Sequence, residues 1–315
     1  MTQRFLGRSD VAVPPLIFGG NVFGWTVDEA MSFRLLDALV EAGYTAIDTA
    51  DVYSAWVPGH QGGESEAVIG RWLASRKGRD RLTIATKVGM KMGSGGQGLA
   101  SGWIRQSVEG SLRRLGTDYI DLYYAHRDDP AVPLAETLST FQELIREGKV
   151  RTIGGSNYTA PRFQEALETS ERLGLPRYEC LQPLYNLMDR AVFEDDLAPL
   201  CRKAGVGVAP YFALASGFLT GKYREGTSLE GHARAERVRS YLNDRGWKVL
   251  AALDAVAGRV RATPGQVALA WLMAQPVVSA PIASATSPEQ LADLLAAARV
   301  TLDAGDIEEL SAASA

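Results

Sequence analysis

Cysteine is nearly absent from this chain. Only Cys180 and Cys201 occur among 315 residues. Both lie in apolar stretches with no secretory leader ahead of them, so they read as buried reduced thiols, not a disulfide framework. Histidine is as scarce: His60, His126 and His232 are the full set, and their spacing matches no metal-ligand pattern. No apolar run reaches the roughly 18 residues of a membrane span. The opening MTQRFLGRSD lacks the apolar core of a signal peptide. A cytoplasmic protein without a membrane partner is expected. Positive charge is not in excess either. Lys and Arg total 33 against 37 Asp and Glu, a net charge of -4, which argues against a nucleic-acid partner. One basic cluster exists, Arg234, Arg237 and Arg239, but Glu236 interrupts it, as in a solvated face. Low-complexity tracts and long charge blocks are missing, which excludes extended disorder.

What remains is the composition of a globular protein with a large core: 46% hydrophobic and 22% charged. Arg4 to Leu6 and Val11 to Val13 flank GRSD, the pattern of a short hairpin. Leu16 to Phe18 is then a first apolar strand. A helical period over 28–42 follows, with Thr26 and Glu29 fitting a capping box and Gly43 a helix stop. Strand and helix signals then alternate. Ala46-Ile47 precedes a helix over about 64–75, Leu82 to Thr86 one over 102–115, and Tyr119 to Tyr124 one over 133–147. Val150 to Ile153 precedes 161–173, Cys180-Leu181 precedes 190–204, and Val206 to Ala209 precedes a polar loop and further helices. Val277 to Ile282 precedes 288–299. Thr263-Pro264-Gly265-Gln266 and Ser287-Pro288-Glu289-Gln290 both offer an N-cap hydroxyl followed by Pro.

Eight short strands alternating with helices predict a parallel sheet. No gap marks a second domain, so 1–315 reads as one (β/α)8 TIM barrel. It carries a short N-terminal hairpin and extra helices and loop after the seventh strand. An open doubly wound sheet fits less well, since FGGNVFG after the first strand lacks the dinucleotide fingerprint. The Gly-rich KMGSGGQG lacks the Gly-Lys ending of a phosphate loop and reads as a flexible loop.

Barrel chemistry sits where strands run into the following loops. Four polar residues stand there on three consecutive strands: Asp48 and Tyr53, then Lys87, then His126. The set suits proton transfer to a carbonyl. A free phenol titrates near pH 10, about three units too high for easy exchange, and a held cation lowers it. Lys87 supplies that charge, Asp48 holds the ammonium, and His126 directs the substrate oxygen. A phenol, an ammonium, a carboxylate and an imidazole are not a metal-binding set, so no metal is expected. Phe23, Trp25, Trp56, His60 and Tyr241 are candidates for lining the entrance.

The segments EAGYTAIDTADVYS, ATKVG, GTDYIDLYYAHRDDP, GKVRTIGGSNY, LQPLYNL, PYFALASGFLTGKYR and PIASATSPEQL occur in this order. Together they resemble the aldo-keto reductase superfamily, in the bacterial branch similar to the potassium-channel β-subunits. The resemblance runs from about 10 to 300. It implies a reversible reduction of a small-molecule aldehyde or ketone with Asp48, Tyr53, Lys87 and His126 as the catalytic set. The alternative it carries is a cofactor-binding, redox-sensing subunit with little turnover.

The resemblance also implies a nicotinamide track. Ser156, Asn157 and Gln182 would hold the carboxamide and Tyr211 would stack on the ring. Gly20 and Asn21 would line the first strand end, joined by Asp48. Leu214, Ser216 and Lys222 would approach the diphosphate. Ser284, Thr286, Gln290 and Asp293 would surround the adenosine end. Many members place Lys or Arg near 284, 286 or 290, and Asn at 294. Here stand Ser284, Thr286, Gln290 and Leu294, so the implied NADPH gives way in part to NADH or dual use. Substrate identity and oligomeric state stay open.

Overall fold

The computed structural model describes residues 3–230 and 234–315; His232 lies outside them. The hairpin forms as read: β1 (Arg4–Phe5) pairs antiparallel with β2 (Ala12–Val13). Eight parallel strands follow: β3 (Ile17–Gly19), β4 (Ala46–Asp48), β5 (Thr83–Val88), β6 (Ile120–Ala125), β7 (Val150–Ser156), β8 (Tyr178–Gln182), β9 (Gly207–Val208) and β10 (Ile282–Ala283). Their order is β10-β3-β4-β5-β6-β7-β8-β9. The two ends meet: Ser279 N–H donates to Val208 O at 2.8 Å and Ile282 N–H to Pro210 O at 2.9 Å. The sheet curls on itself as a (β/α)8 barrel.

Inward residues Ile17, Ala46, Ala85, Leu122, Cys180, Ala209 and Ile282 fill the barrel with the hairpin's Leu6, Val11 and Val13, all buried. The hairpin thus plugs the end opposite the strand C-termini. Arg4 fixes it there by donating to the Met273 and Val278 carbonyls. The outward faces pack against a ring of helices that includes α1 (Glu29–Glu41), α2 (Glu64–Ala74), α3 (Ser101–Leu115), α4 (Leu134–Arg146) and α5 (Ala160–Leu173). The extra helices after the seventh barrel strand are α7 (Ala235–Arg239) and α8 (Asp244–Val260), in chain order after α6 (Ala198–Ala204). Then come α9 (Pro264–Ala274), α10 (Pro288–Ala296) and α11 (Ala304–Ala313). No helix among the described residues is long and apolar enough to cross a membrane.

Several local expectations are corrected. The cap of α1 is Asp28, whose carboxylate accepts from Met31 N–H at 2.8 Å; Thr26 is not the cap. The expected helix over 190–204 forms without a break from 191 to 204, with a π-helical turn, Phe193–Leu197, running into α6. Val277 to Ala280 turn into the barrel seam and leave a shorter final strand. The capping box at Thr263 and Gln266 is complete. At α10 only the Ser287 half forms, because the Gln290 side chain accepts from Thr286 instead.

Candidate active site

The strand ends bring the expected group together. Asp48 closes β4, and Lys87 lies one residue inside the end of β5, fully buried. An ammonium in that position must spend all three N–H donors to offset desolvation. It does: Lys87 Nζ donates to Asp48 Oδ2 at 2.6 Å, to the Thr49 carbonyl at 2.7 Å and to the Tyr53 hydroxyl oxygen at 3.0 Å. The Thr49 carbonyl was invisible in sequence because it is a backbone atom. Gln182 Nε2 holds the other Asp48 oxygen at 2.9 Å. The Tyr53 hydroxyl lies 3.4 Å from Asp48 Oδ2, too long for a strong bond. Its oxygen accepts from Lys87, and Asp48 is only a weak acceptor for its own proton.

Electrostatics sharpen the assignment. Burial pushes the Tyr53 phenol well above its ordinary value, and the Asp48 carboxylate adds to that. Sequence reasoning expected Lys87 to lower it; in this arrangement burial and Asp48 prevail. Tyr53 therefore holds its proton at neutral pH. Burial also lowers Lys87, against the pull of Asp48. His126 stands with its ring 6.1 Å from that of Tyr53, edge to face. Burial, then the Lys87 and Arg127 charges, keep it well below its ordinary value, so it is neutral. Its Nδ1 is buried without a partner.

The amide set lies next to this group. Asn157 follows β7 with φ 55, a left-handed conformation that asparagine tolerates better than most side chains. Its amide nitrogen donates to the His126 carbonyl at 2.9 Å, and its oxygen accepts from the Tyr211 hydroxyl at 2.8 Å. Ser156 Oγ donates to the Gln182 carbonyl. On the opposite flank Ser284 Oγ lies 2.7 Å from the Gly19 carbonyl and 2.6 Å from Asn21 Oδ1, its one proton able to serve either, which sets Asn21 and Gly20 at the same mouth. Leu214 and Ser216 lie in tight turns where Ala215, Ser216 and Gly217 all have positive φ. A Cβ at Gly217 would meet Lys222 Nζ at 3.3 Å, so glycine leaves the space beside that ammonium open.

The remaining residues are held at the rim. Thr286 and Gln290 bond to each other, and Asp293 accepts from Thr263 and Gln266. Among the entrance candidates, Phe23 is core, stacked on Phe18, and Tyr241 is buried with its hydroxyl on Asp189. Trp56 remains at the mouth, 48% exposed, and packs on Tyr53 and Trp25. A cavity of about 570 Å3 opens beside Asn157 and Tyr211, lined by Pro183, Leu184, Met188 and Val192. None of Asp48, Tyr53, Lys87 and His126 borders it, so proton transfer is not sited there. No cluster of three metal-ligating side chains exists among the described residues.

Known proteins resemble this chain over most of its length. A family model described as the Aldo/keto reductase family matches residues 15–315. The chain is 32% identical to the "Uncharacterized oxidoreductase YrpG" of Bacillus subtilis (strain 168), across 96% of this chain and 93% of that protein. It is 33% identical to a "Putative voltage-gated potassium channel subunit beta" of Schizosaccharomyces pombe, across 92% and 86%. It is 31% identical to the "NADH-specific methylglyoxal reductase" of Escherichia coli (strain K12), across 96% and 94%.

Proposed function

The chain belongs to the aldo/keto reductase family, and on that premise we propose that it reduces aldehydes or ketones to alcohols, reversibly, with a nicotinamide dinucleotide. The observation that carries this reading is the buried Lys87 ammonium bonded at once to Asp48, the Thr49 carbonyl and the Tyr53 oxygen. That arrangement holds a neutral phenol at the mouth, its oxygen on Lys87 and its proton only weakly held by Asp48 at 3.4 Å. Tyr53 gives this proton to the carbonyl oxygen as the oxygen gains charge. Lys87 then stabilises the phenolate left behind, and Asp48 keeps the ammonium in place. Neutral His126 orients the same carbonyl oxygen without competing for the proton.

The residues present fit a nicotinamide. A carboxamide both donates and accepts, and Ser156, Asn157 and Gln182 offer both. Tyr211 offers a ring face, and Gly20 and Asn21 lie on the opposite flank, against Asp48 and Ser284. Leu214, Ser216 and Lys222 suit a diphosphate, with the open space beside Gly217. Ser284, Thr286, Gln290 and Asp293 would meet the adenosine end. When bound, the nicotinamide supplies the hydride for the carbonyl carbon. No Lys or Arg stands at 284, 286 or 290, so NADPH and NADH are expected to serve within about tenfold of each other, a difference of about 1.4 kcal/mol.

The channel-subunit relative raises a second reading, a cofactor-binding sensor with little turnover. A panel of aldehydes with each cofactor, followed by nicotinamide absorbance, separates the two. Steady turnover with both cofactors supports the reductase. Tight cofactor binding with no turnover across the panel favours the sensor.

A further inference from the structure

One inward phenol lies beneath the proton-transfer group without bonding to any member of it. Strand pairing sets Lys87 of β5 level with Tyr124 of β6, Tyr124 level with Gly154 of β7, and Gly154 level with Cys180 of β8. These four positions form one layer of the barrel interior, where inward side chains share a fixed space. Gly154 gives up its share. A Cβ there would fall 2.5 Å from Tyr124 Cε1, closer than real contacts come. The Tyr124 ring therefore crosses over β7, and its hydroxyl donates to Cys180 Sγ at 3.2 Å. The same hydroxyl faces the amide of Gln182, which holds Asp48 Oδ1 at 2.9 Å.

The ring lies under the ammonium. Tyr124 and Lys87 are both fully buried, and Lys87 Nζ stands 5.9 Å from the ring centre. That distance is the outer limit of a cation–π contact, so direct attraction is weak. The larger effect is exclusion of water. With the ring in place, Nζ finds its partners in Asp48, the Thr49 carbonyl and Tyr53. The other titratable groups acting on this pair are Asp51 and Glu66, which raise Lys87 at longer range, and neutral His126. Burial outweighs the carboxylates and lowers Lys87.

We propose that Tyr124 is a positioning residue for proton transfer: its ring, admitted by Gly154, closes the barrel beneath Lys87 so that the ammonium stays dry and turned toward Tyr53. This rests on the reductase reading above.

The test follows single-turnover reduction of benzaldehyde, the pH profile of kcat/KM and cofactor affinity in the same variants. The alkaline fall of kcat/KM reports loss of the Lys87 ammonium, since burial lowers Lys87 and raises Tyr53. Tyr124→Leu opens space beneath Nζ, beside the polar Gln182, where water can enter. Reduction should slow by about tenfold with cofactor affinity within about twofold of wild type, and the alkaline limb should move to higher pH as the ammonium regains hydration. Tyr124→Phe keeps the ring and should recover most of the rate. Gly154→Ala drives the ring from its place. It should slow reduction in the wild type yet cost much less on top of Tyr124→Leu, because the ring it strikes is gone. An unmoved alkaline limb in Tyr124→Leu overturns the proposal and leaves Tyr124 as core packing. So does Gly154→Ala costing the same in both backgrounds, which would trace its effect to the Cys180 carbonyl oxygen, 2.8 Å from that Cβ. Either result leaves the reductase reading intact. A wild-type enzyme that reduces neither benzaldehyde nor any other aldehyde of the panel would overturn that reading and this one with it.

Discussion

Asp51 and Asp48 sit three residues apart and are treated in opposite ways. Asp48 is bonded by Lys87, Gln182 and, loosely, Tyr53. Asp51 is just as buried, yet neither of its carboxyl oxygens has a hydrogen-bond partner. Burial, then the Glu66 carboxylate, raise Asp51 well above the ordinary carboxylate range, and Arg114 and Lys87 only partly oppose this. The folded state therefore holds a proton that the unfolded chain releases near pH 3.9. Stability from this residue is intact below about pH 3.9 and falls as pH rises toward the folded value. Asp51→Asn keeps the shape without the titration. It should be more stable than the wild type at pH 7, with the gap closing toward pH 4. Urea unfolding at several pH values measures this, and a gap that widens on acidification would contradict it. The sequence singled out Asp48 at its strand end but carried no sign that Asp51 would be buried without a partner. Which acid meets an ammonium depends on where β5 lies, a long-range fact.

At the scale of elements, periodicity marked the helices well because their apolar faces are long. It marked strand ends poorly. The barrel strands are short and buried on both faces, so the apolar run carries no alternation to show where pairing stops. Lys87 thus proved to lie inside β5. Caps depended on single side chains, and Asp28, immediately before α1, did the work assigned to Thr26. Close approach between helices was also hidden. Gly70 in α2 meets α3 so tightly that a Cβ would fall 1.9 Å from the Arg114 carbonyl oxygen. Alanine ordinarily gains up to about 1 kcal/mol over glycine in a helix. Here the obstacle is backbone, which cannot rotate away, so the clash wins. Gly70→Ala should cost about 2–3 kcal/mol, read as a lower urea midpoint. A neutral or stabilising result would mean the two helices can separate at little cost.

For the whole molecule, the alternation of strands and helices was enough to give the barrel, its hairpin and the helices after the seventh strand. The same alternation put Asp48, Tyr53, Lys87 and His126 on three neighbouring strand ends, and the fold brings them together. Less legible were features built by distant segments. The seam joining Val208 to Ser279 and the reach of Tyr124 over Gly154 to Cys180 have no local signature. The central claim is that Tyr53, held by Lys87 and Asp48, protonates a carbonyl that receives hydride from a nicotinamide. Its most direct test is Tyr53→Phe, with single-turnover reduction of an aldehyde and cofactor affinity measured on the same protein. Removing the proposed proton donor should slow reduction by about a hundredfold or more, with cofactor affinity within about twofold of wild type. Reduction that persists near the wild-type rate in Tyr53→Phe would contradict the account.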